Sequence, residues 1–452
     1  MAGGFDGSST WKLEHGQVRL INIDRMPIHH KALDKRRVSR RKKSPTEETR
    51  KRSKMLTKLT RGASKADLKS EPPARPTTPK YLKDYFDYDK NSSSEESASD
   101  EDKTKEPAKT LDMSQKIYLT ACIKEGVAPR RRLLKGLTQD GLNVNNCTLA
   151  PSDIKALAYA LTTNMCVTSL DLSGNEIGRE GMEYLVEMLE ENMTVTELRL
   201  SNARLGLYEV LLLTEMLSEN MRITTLEVSG NDLDDECAKC FAEALKYNRK
   251  IKKLNLSHNK FNETGGKILA KSIETNDSIE YLDMSWNSIR MLGAIAWGDT
   301  LYNNVDLKHL NLSWNGFGDE GAASIGEALE ENNTLLTLDL SCNRIGFEGS
   351  RAIAKALGNN SSLESLALSQ NPVTTQGAVE LLTHLQINDE SKLQELLLEG
   401  TQVTNEADDL YEEIRGFRSE FKFVHGGHVI SPDTLAFKTV KPEEKNCRSN
   451  KS

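Results

Sequence analysis

The chain has 452 residues, 37 % hydrophobic content and a net charge of -7, from 60 Lys and Arg against 67 Asp and Glu. So low an apolar content excludes one globular body of that size, and with no run of about 18 apolar residues no membrane-spanning helix is expected. Seven scattered cysteines (122, 147, 166, 237, 240, 342, 447) form no closely spaced framework, which suits a reducing compartment.

Residues 1–112 show no sustained periodicity and read as a disordered, charged N-terminal arm. Its start, MAGGFDGSSTWKLEHG, lacks the apolar core of a secretory signal, so a cytoplasmic protein is expected. Sequons such as those at Asn255 and Asn311 then arise from repeated N-L-S strands and are not expected to carry glycans. Residues 31–62 hold 14 Lys or Arg against 3 Asp or Glu, around Lys35-Arg36-Arg37, Arg40-Arg41-Lys42-Lys43 and Arg50-Lys51-Arg52. This pattern reads as a nuclear import signal, a polyanion-binding arm or a solvated basic tail. No aromatic residue interleaves the cations, so nucleic acid is not expected beyond non-specific contact. Pro72, Pro73, Pro76 and Pro79 keep the next stretch extended, and Tyr81, Tyr85, Phe86 and Tyr88 follow as an aromatic cluster. Residues 84–102 reverse the charge, with eight carboxylates and one Lys; Ser92, Ser93, Ser97 and Ser99 each have an acid three residues downstream and are candidate phosphorylation sites.

A capping helix region over 113–141 is expected next, with Leu111, Ile117 and Cys122 or Ile123 turned inward. Beyond it one plan repeats. From Asn175, the residues Asn231, Asn259, Asn287, Asn315, Asn343 and Asn371 fall on multiples of 28; Cys147 and Ala203 share the register, and Thr401 follows Asn371 after 30. The pattern L-x-x-L-x-L-x-x-N-x-L at this period is that of leucine-rich repeats, about ten of them over 142–415. Each predicts a short parallel strand, with Val167, Leu170, Leu172 and Ile177 as one core set and Leu307, Leu310, Leu312 and Phe317 as another. A helix follows, with apolar pairs four residues apart such as Leu185 and Leu189, or Ile353 and Leu357. The marker asparagines should form a hydrogen-bonded ladder. Glycines six residues later, such as Gly181, Gly293 and Gly349, should bring helix and strand layers together. A second column, Asn192 through Asn388, should end the helices in the left-handed conformation.

These motifs resemble the ribonuclease-inhibitor-like class of leucine-rich repeats. The resemblance implies an α/β fold, a right-handed βα solenoid shaped as a horseshoe, and protein–protein interaction on its concave face without a defined activity or cofactor. It leaves two alternatives open: an inhibitor wrapping one enzyme, and a Ran-type GTPase-activating regulator.

The variable columns are where a partner is expected. One runs Asp171, Arg199, Glu227, Asn255, Asp283, Asn311, Asp339, Ala367, and a serine column after it reads as a structural preference at a bend. The next runs Gly174, Asn202, Gly230, His258, Trp286, Trp314, Cys342, Gln370. Trp286 and Trp314, with His258, Tyr281, Asp283, His309 and Asp339, have the composition of an interface hot spot; mutual packing of the indoles is the alternative. The partner is expected to be a protein, and the chain a monomer.

Catalytic chemistry is thin. No phosphate-binding G-x-x-x-x-G-K-[ST] loop occurs, Cys237-Ala-Lys-Cys240 has no second cysteine pair, and His425-Gly-Gly-His428 has no third ligand in sequence, so no metal or cofactor is expected. Phe421 to Val424 alternates as an edge strand would, within a C-terminal cap over 416–430, and residues 431–452 read as a polar tail.

Overall fold

The computed structural model describes residues 111–429, together with the backbone of two short strands near the N-terminus. Those strands, β1 (Trp11–Glu14) and β2 (Gln17–Leu20), pair antiparallel, with Trp11 opposite Leu20. They lie where the sequence reading expected no regular structure. WKLE and QVRL alternate apolar and polar residues around a two-residue connection, a pattern too short to stand out against its charged surroundings. The basic residues Lys35 to Lys43, the serines Ser92, Ser93, Ser97 and Ser99, and the tail from 431 lie outside the described residues.

The chain divides into two compact units, Met1–Lys260 and Phe261–Ser452. In the first, α1 (Met113–Glu125) starts at an Asp112–Gln115 capping box and stops at Gly126, whose φ is 71°. Tyr118, Leu119 and Cys122 are buried on it, whereas Ile123 is only partly covered. A short helix, α2 (Arg131–Gly136), leads into the repeats: β3 (Gly141–Asn143), α3 (Pro151–Leu161), β4 (Ser169–Asp171), α4 (Gly178–Glu191), β5 (Glu197–Arg199), α5 (Leu207–Glu219), β6 (Thr225–Glu227), α6 (Asp235–Leu245) and β7 (Lys253–Asn255). The strands are parallel and offset by one period, so that Leu142, Leu170, Leu198, Leu226 and Leu254 form one row.

The second unit continues the plan with α7 (Glu263–Glu274), β8 (Tyr281–Asp283), α8 (Met291–Asn303), β9 (His309–Asn311), α9 (Gly318–Glu331), β10 (Thr337–Asp339), α10 (Phe347–Leu357), β11 (Ser365–Ala367), α11 (Thr375–Ile387), β12 (Glu395–Leu398), α12 (Asn405–Phe417) and β13 (Lys422–His425). The corresponding row is Leu282, Leu310, Leu338, Leu366, Leu396 and Phe423. The alternating segment at Phe421 thus adds a parallel strand, burying Phe421 and Phe423.

In both units the middle residue of each three-residue repeat strand is buried and its neighbours are more exposed, except in β11, where Ala367 is buried as well. The helical pairs, including Leu185 and Leu189, Ile325 and Leu329, and Ile353 and Leu357, are buried against the strands. One repeat cannot cover its own leucines, each stabilising by about 1.5 to 3 kcal/mol when buried, so each depends on its neighbours.

Two asparagine ladders hold the stack. Asn343 is fully buried; its Nδ2 donates to the carbonyls of Leu312 and Leu340, and its Oδ1 accepts from the backbone of Asn315, Gly316 and Phe317. Asn175 and Asn231 do the same in the first unit. Thr401 takes the marker position in the last repeat, and its buried hydroxyl has no partner among the described residues.

The second column works differently from expectation. Asn192 and Asn332 end their helices in extended backbone, with φ of -65° and -75°, not in the left-handed region. Their side chains do the capping. Asn192 Nδ2 donates to the Leu161 carbonyl one repeat back, and its Oδ1 accepts from the backbone of Thr194 and Val195. The glycine column does more than expected. A Cβ at Gly349 would lie 2.7 Å from Asp319 Oδ1 and 3.0 Å from Ala322 Cβ on the preceding helix, and 2.9 Å from Ile345 Cγ2 at the bend of its own repeat, so stacking of helix on helix demands glycine there as well as the approach to the strand layer.

Candidate interaction surface

The outward positions of the strands form a surface built from repeated local rules. In β8, β9 and β10 the third strand residue is Asp283, Asn311 or Asp339, and its Oδ1 accepts from the backbone N–H two residues on, at Ser285, Ser313 and Ser341 (2.9, 3.0 and 2.8 Å). This is an Asx turn, the reason for Asp or Asn in that column. Half of each carboxylate of Asp283 and Asp339 is therefore already engaged in bending the chain. At Arg199 in the first unit, where the column is neither Asp nor Asn, the guanidinium bridges Glu197 and Glu227 at 3.0 Å each; burial opposes its charge, but the Glu227 and Glu197 carboxylates outweigh burial and hold the group above its ordinary value.

The position three residues after that column has a backbone requirement that no side-chain pattern announces. Gly174, Asn202, Gly230, His258, Trp286, Trp314, Cys342 and Gln370 all have φ between 52° and 68°. Within each unit these residues are held there by their own N–H groups, which donate to the neighbouring repeat; Trp286 and Trp314 donate to the Ser313 and Ser341 carbonyls at 2.9 Å. Glycine adopts this left-handed backbone freely and asparagine readily, whereas a tryptophan there costs about 1 to 2 kcal/mol. Two consecutive repeats nonetheless carry one.

The two indoles stack with centroids 4.0 Å apart and planes 12° from parallel. Stacking leaves them 44 % and 47 % exposed, so they form a raised apolar ridge rather than core. Beside Trp314 lies an open depression of about 470 Å³ lined by Cys342, Arg344, Gln370 and Pro372. Burial, and after it the Asp339 carboxylate, pushes the Cys342 thiol up, so it is a poor nucleophile.

A second depression, of about 260 Å³, runs along the strands and includes Tyr281, His309, Thr337, Asp339 and Ser365. Tyr281 and His309 stand side by side on paired strands, ring centroids 6.1 Å apart, and His309 Nδ1 is hydrogen-bonded to Thr337 Oγ1 at 2.9 Å. The second unit thus brings Tyr281, Asp283, His309 and Asp339 onto one face of the sheet and the two tryptophans onto the bend above it. His258 belongs to the first unit, where it is exposed in the same left-handed column.

Among the described residues the cysteine pair joins no group of three metal-ligating side chains. Cys237 is buried on α6, which pushes its thiol up to about 12, and Cys240 Sγ donates to the Glu236 carbonyl. The histidines at 425 and 428, however, are not isolated as their sequence suggests. Asp408, from α12, joins them, a contact that local spacing could not reveal.

Six stretches (163–186, 219–242, 247–270, 303–326, 331–354 and 359–388) match the family described as Leucine Rich repeat, in the register of the strands and helices above. The chain is a leucine-rich repeat protein, a class whose stacked units present an extended binding face. Among solved structures it is similar to a leucine-rich repeat-containing protein, LegL7, from Legionella pneumophila (19 % identity, 61 % of this chain and 89 % of that one, TM-score 0.39). It is also similar to an internalin from Listeria monocytogenes (13 %, 73 % and 96 %, 0.40). A third similarity, over 29 % of this chain and 76 % of the other, is to the actin-binding site 2 of leiomodin-1 (26 % identity, TM-score 0.27).

Proposed function

We propose that the chain is a non-enzymatic interaction scaffold of the ribonuclease-inhibitor-like class, which holds a protein partner against the outward face of the strands in its second unit. The Trp286–Trp314 stack carries this reading: two large apolar side chains, half exposed, in a backbone conformation where glycine serves the fold at lower cost. Tryptophan and tyrosine dominate the energetics of protein interfaces, and Tyr281 and His309 extend the aromatic surface along the adjoining strands. Crosslinking mass spectrometry in cells, on the full chain and on Trp286→Ala, Trp314→Ala and the double variant, tests it. The expected result is that crosslinks to a defined protein across residues 281–344 are lost in the double variant while circular dichroism is unchanged. Undiminished crosslinking by the double variant, or crosslinks confined to the helices, would move the interface elsewhere.

A further inference from the structure

The last turn of the fold gathers three metal-binding side chains from two elements. One ligand atom each from Asp408, His425 and His428 lies within 4.8 Å of the others. Asp408 sits in the first turn of α12, His425 ends β13, and His428 follows in an isolated parallel bridge to Val403. His428 Nε2 is in hydrogen-bonding contact with Asp408 Oδ2, and the two imidazoles stand edge to face, 5.2 Å apart and 88° between planes.

The connection between the histidines is shaped for this convergence. Gly427 has φ of 101°, and a Cβ on Gly426 would lie 2.8 Å from the Gly400 backbone, so neither position accepts a side chain without strain. The His425 ring is fixed on both sides. Phe423 stacks on it at 5.2 Å, and its Nδ1 lies 3.2 Å from the Gly427 nitrogen and 3.4 Å from the Gly427 oxygen. With Nε2 protonated, Nδ1 accepts from the Gly427 N–H; in the other tautomer Nδ1 donates to the Gly427 oxygen and Nε2 is freed as a metal ligand, the arrangement common among metal-binding histidines.

The geometry points to a site for a first-row divalent ion, zinc foremost. Two imidazoles and one carboxylate are the donor set such ions take, with the fourth position left to water or to a side chain from a partner. Bringing the three donors to about 2.0 to 2.2 Å from a common ion requires the His428–Asp408 contact to open and the wider separations to close to about 3.5 Å. The ion would then tie α12 to β13 and the Val403 bridge, closing the C-terminal end of the array.

Isothermal titration of zinc chloride into the metal-stripped full chain tests the inference. One saturable equivalent of micromolar or tighter affinity is expected, weakened at least about tenfold by His425→Gln, His428→Gln and, with least risk to folding, Asp408→Asn. Cys237→Ser/Cys240→Ser should bind as the parent does. Cobalt substituted at the site should show d–d absorption without thiolate charge-transfer bands. No saturable binding, or binding undiminished in folded Asp408→Asn and His425→Gln, would overturn the site, and neither outcome bears on the tryptophan face.

Discussion

Trp286 and Trp314 stack at 4.0 Å while both hold a left-handed backbone, at φ of 53° and 55°. Stacking returns about 0.5 to 1.5 kcal/mol, against a backbone cost of about 1 to 2 kcal/mol for each residue. The fold therefore gains little from the pair. Replacing either by Asn, the residue at the same position in Asn202, should leave stability in urea within about 1 kcal/mol of the parent, while partner crosslinking falls. A loss of more than about 3 kcal/mol would mark the indoles as structural and remove the main support for the interface.

The marker asparagines should behave in the opposite way. Asn343→Ala takes the acceptor from the N–H groups of Asn315, Gly316 and Phe317 and leaves the Leu312 and Leu340 carbonyls with the single donors they receive from Asn315 and Asn371. With about 1 to 3 kcal/mol for each buried group left unsatisfied, and partial relaxation, the loss should be about 3 to 5 kcal/mol. Asn311→Ala, which removes only the bend at Ser313, should cost about 1 kcal/mol, so paired urea curves separate the two roles.

This contrast also explains what was legible in the residues. The leucines, marker asparagines and helical pairs announce themselves because burial recurs every 28 residues, and each fell where the period placed it. The left-handed column did not, because Gly, Asn, His, Trp, Cys and Gln share no chemistry; their common property is a backbone angle. The second asparagine column was assigned to the wrong atoms, since Asn192 caps through its side chain while its backbone stays extended. Asp408 was missed because it reaches His425 and His428 through the packing of α12 on β13, a tertiary contact without a local signature.

Thiol reactivity should follow burial. Cys166 is exposed, whereas Cys122 and Cys237 are buried, and desolvation pushes their thiols up to about 11 and about 12. At pH 8, iodoacetamide should label Cys166 well before either, and the two buried thiols only after urea unfolding, as read by peptide mass spectrometry. The sign for stability follows. Because the folded state holds these protons more tightly, stability is full below the ordinary thiol value near 9 and is lost as pH rises toward about 11 to 12. Cys237→Ala should flatten that alkaline loss; an unchanged profile would place its origin in other groups.

Two glycines on helices should respond to alanine with opposite signs. A Cβ at Gly326 on α9 would lie 2.8 Å from the Ala352 carbonyl oxygen on the next helix, a backbone atom that cannot turn away. Forcing the helices apart should cost about 1 to 3 kcal/mol, exceeding the roughly 1 kcal/mol of helix propensity that alanine adds. At Gly416 on α12 a Cβ would meet nothing within 4 Å, so Gly416→Ala should raise stability by about 0.4 to 1 kcal/mol. Thermal melts of the two variants decide the matter: if Gly326→Ala melts at or above the parent, the close approach of α9 and α10 is not what holds glycine at that position.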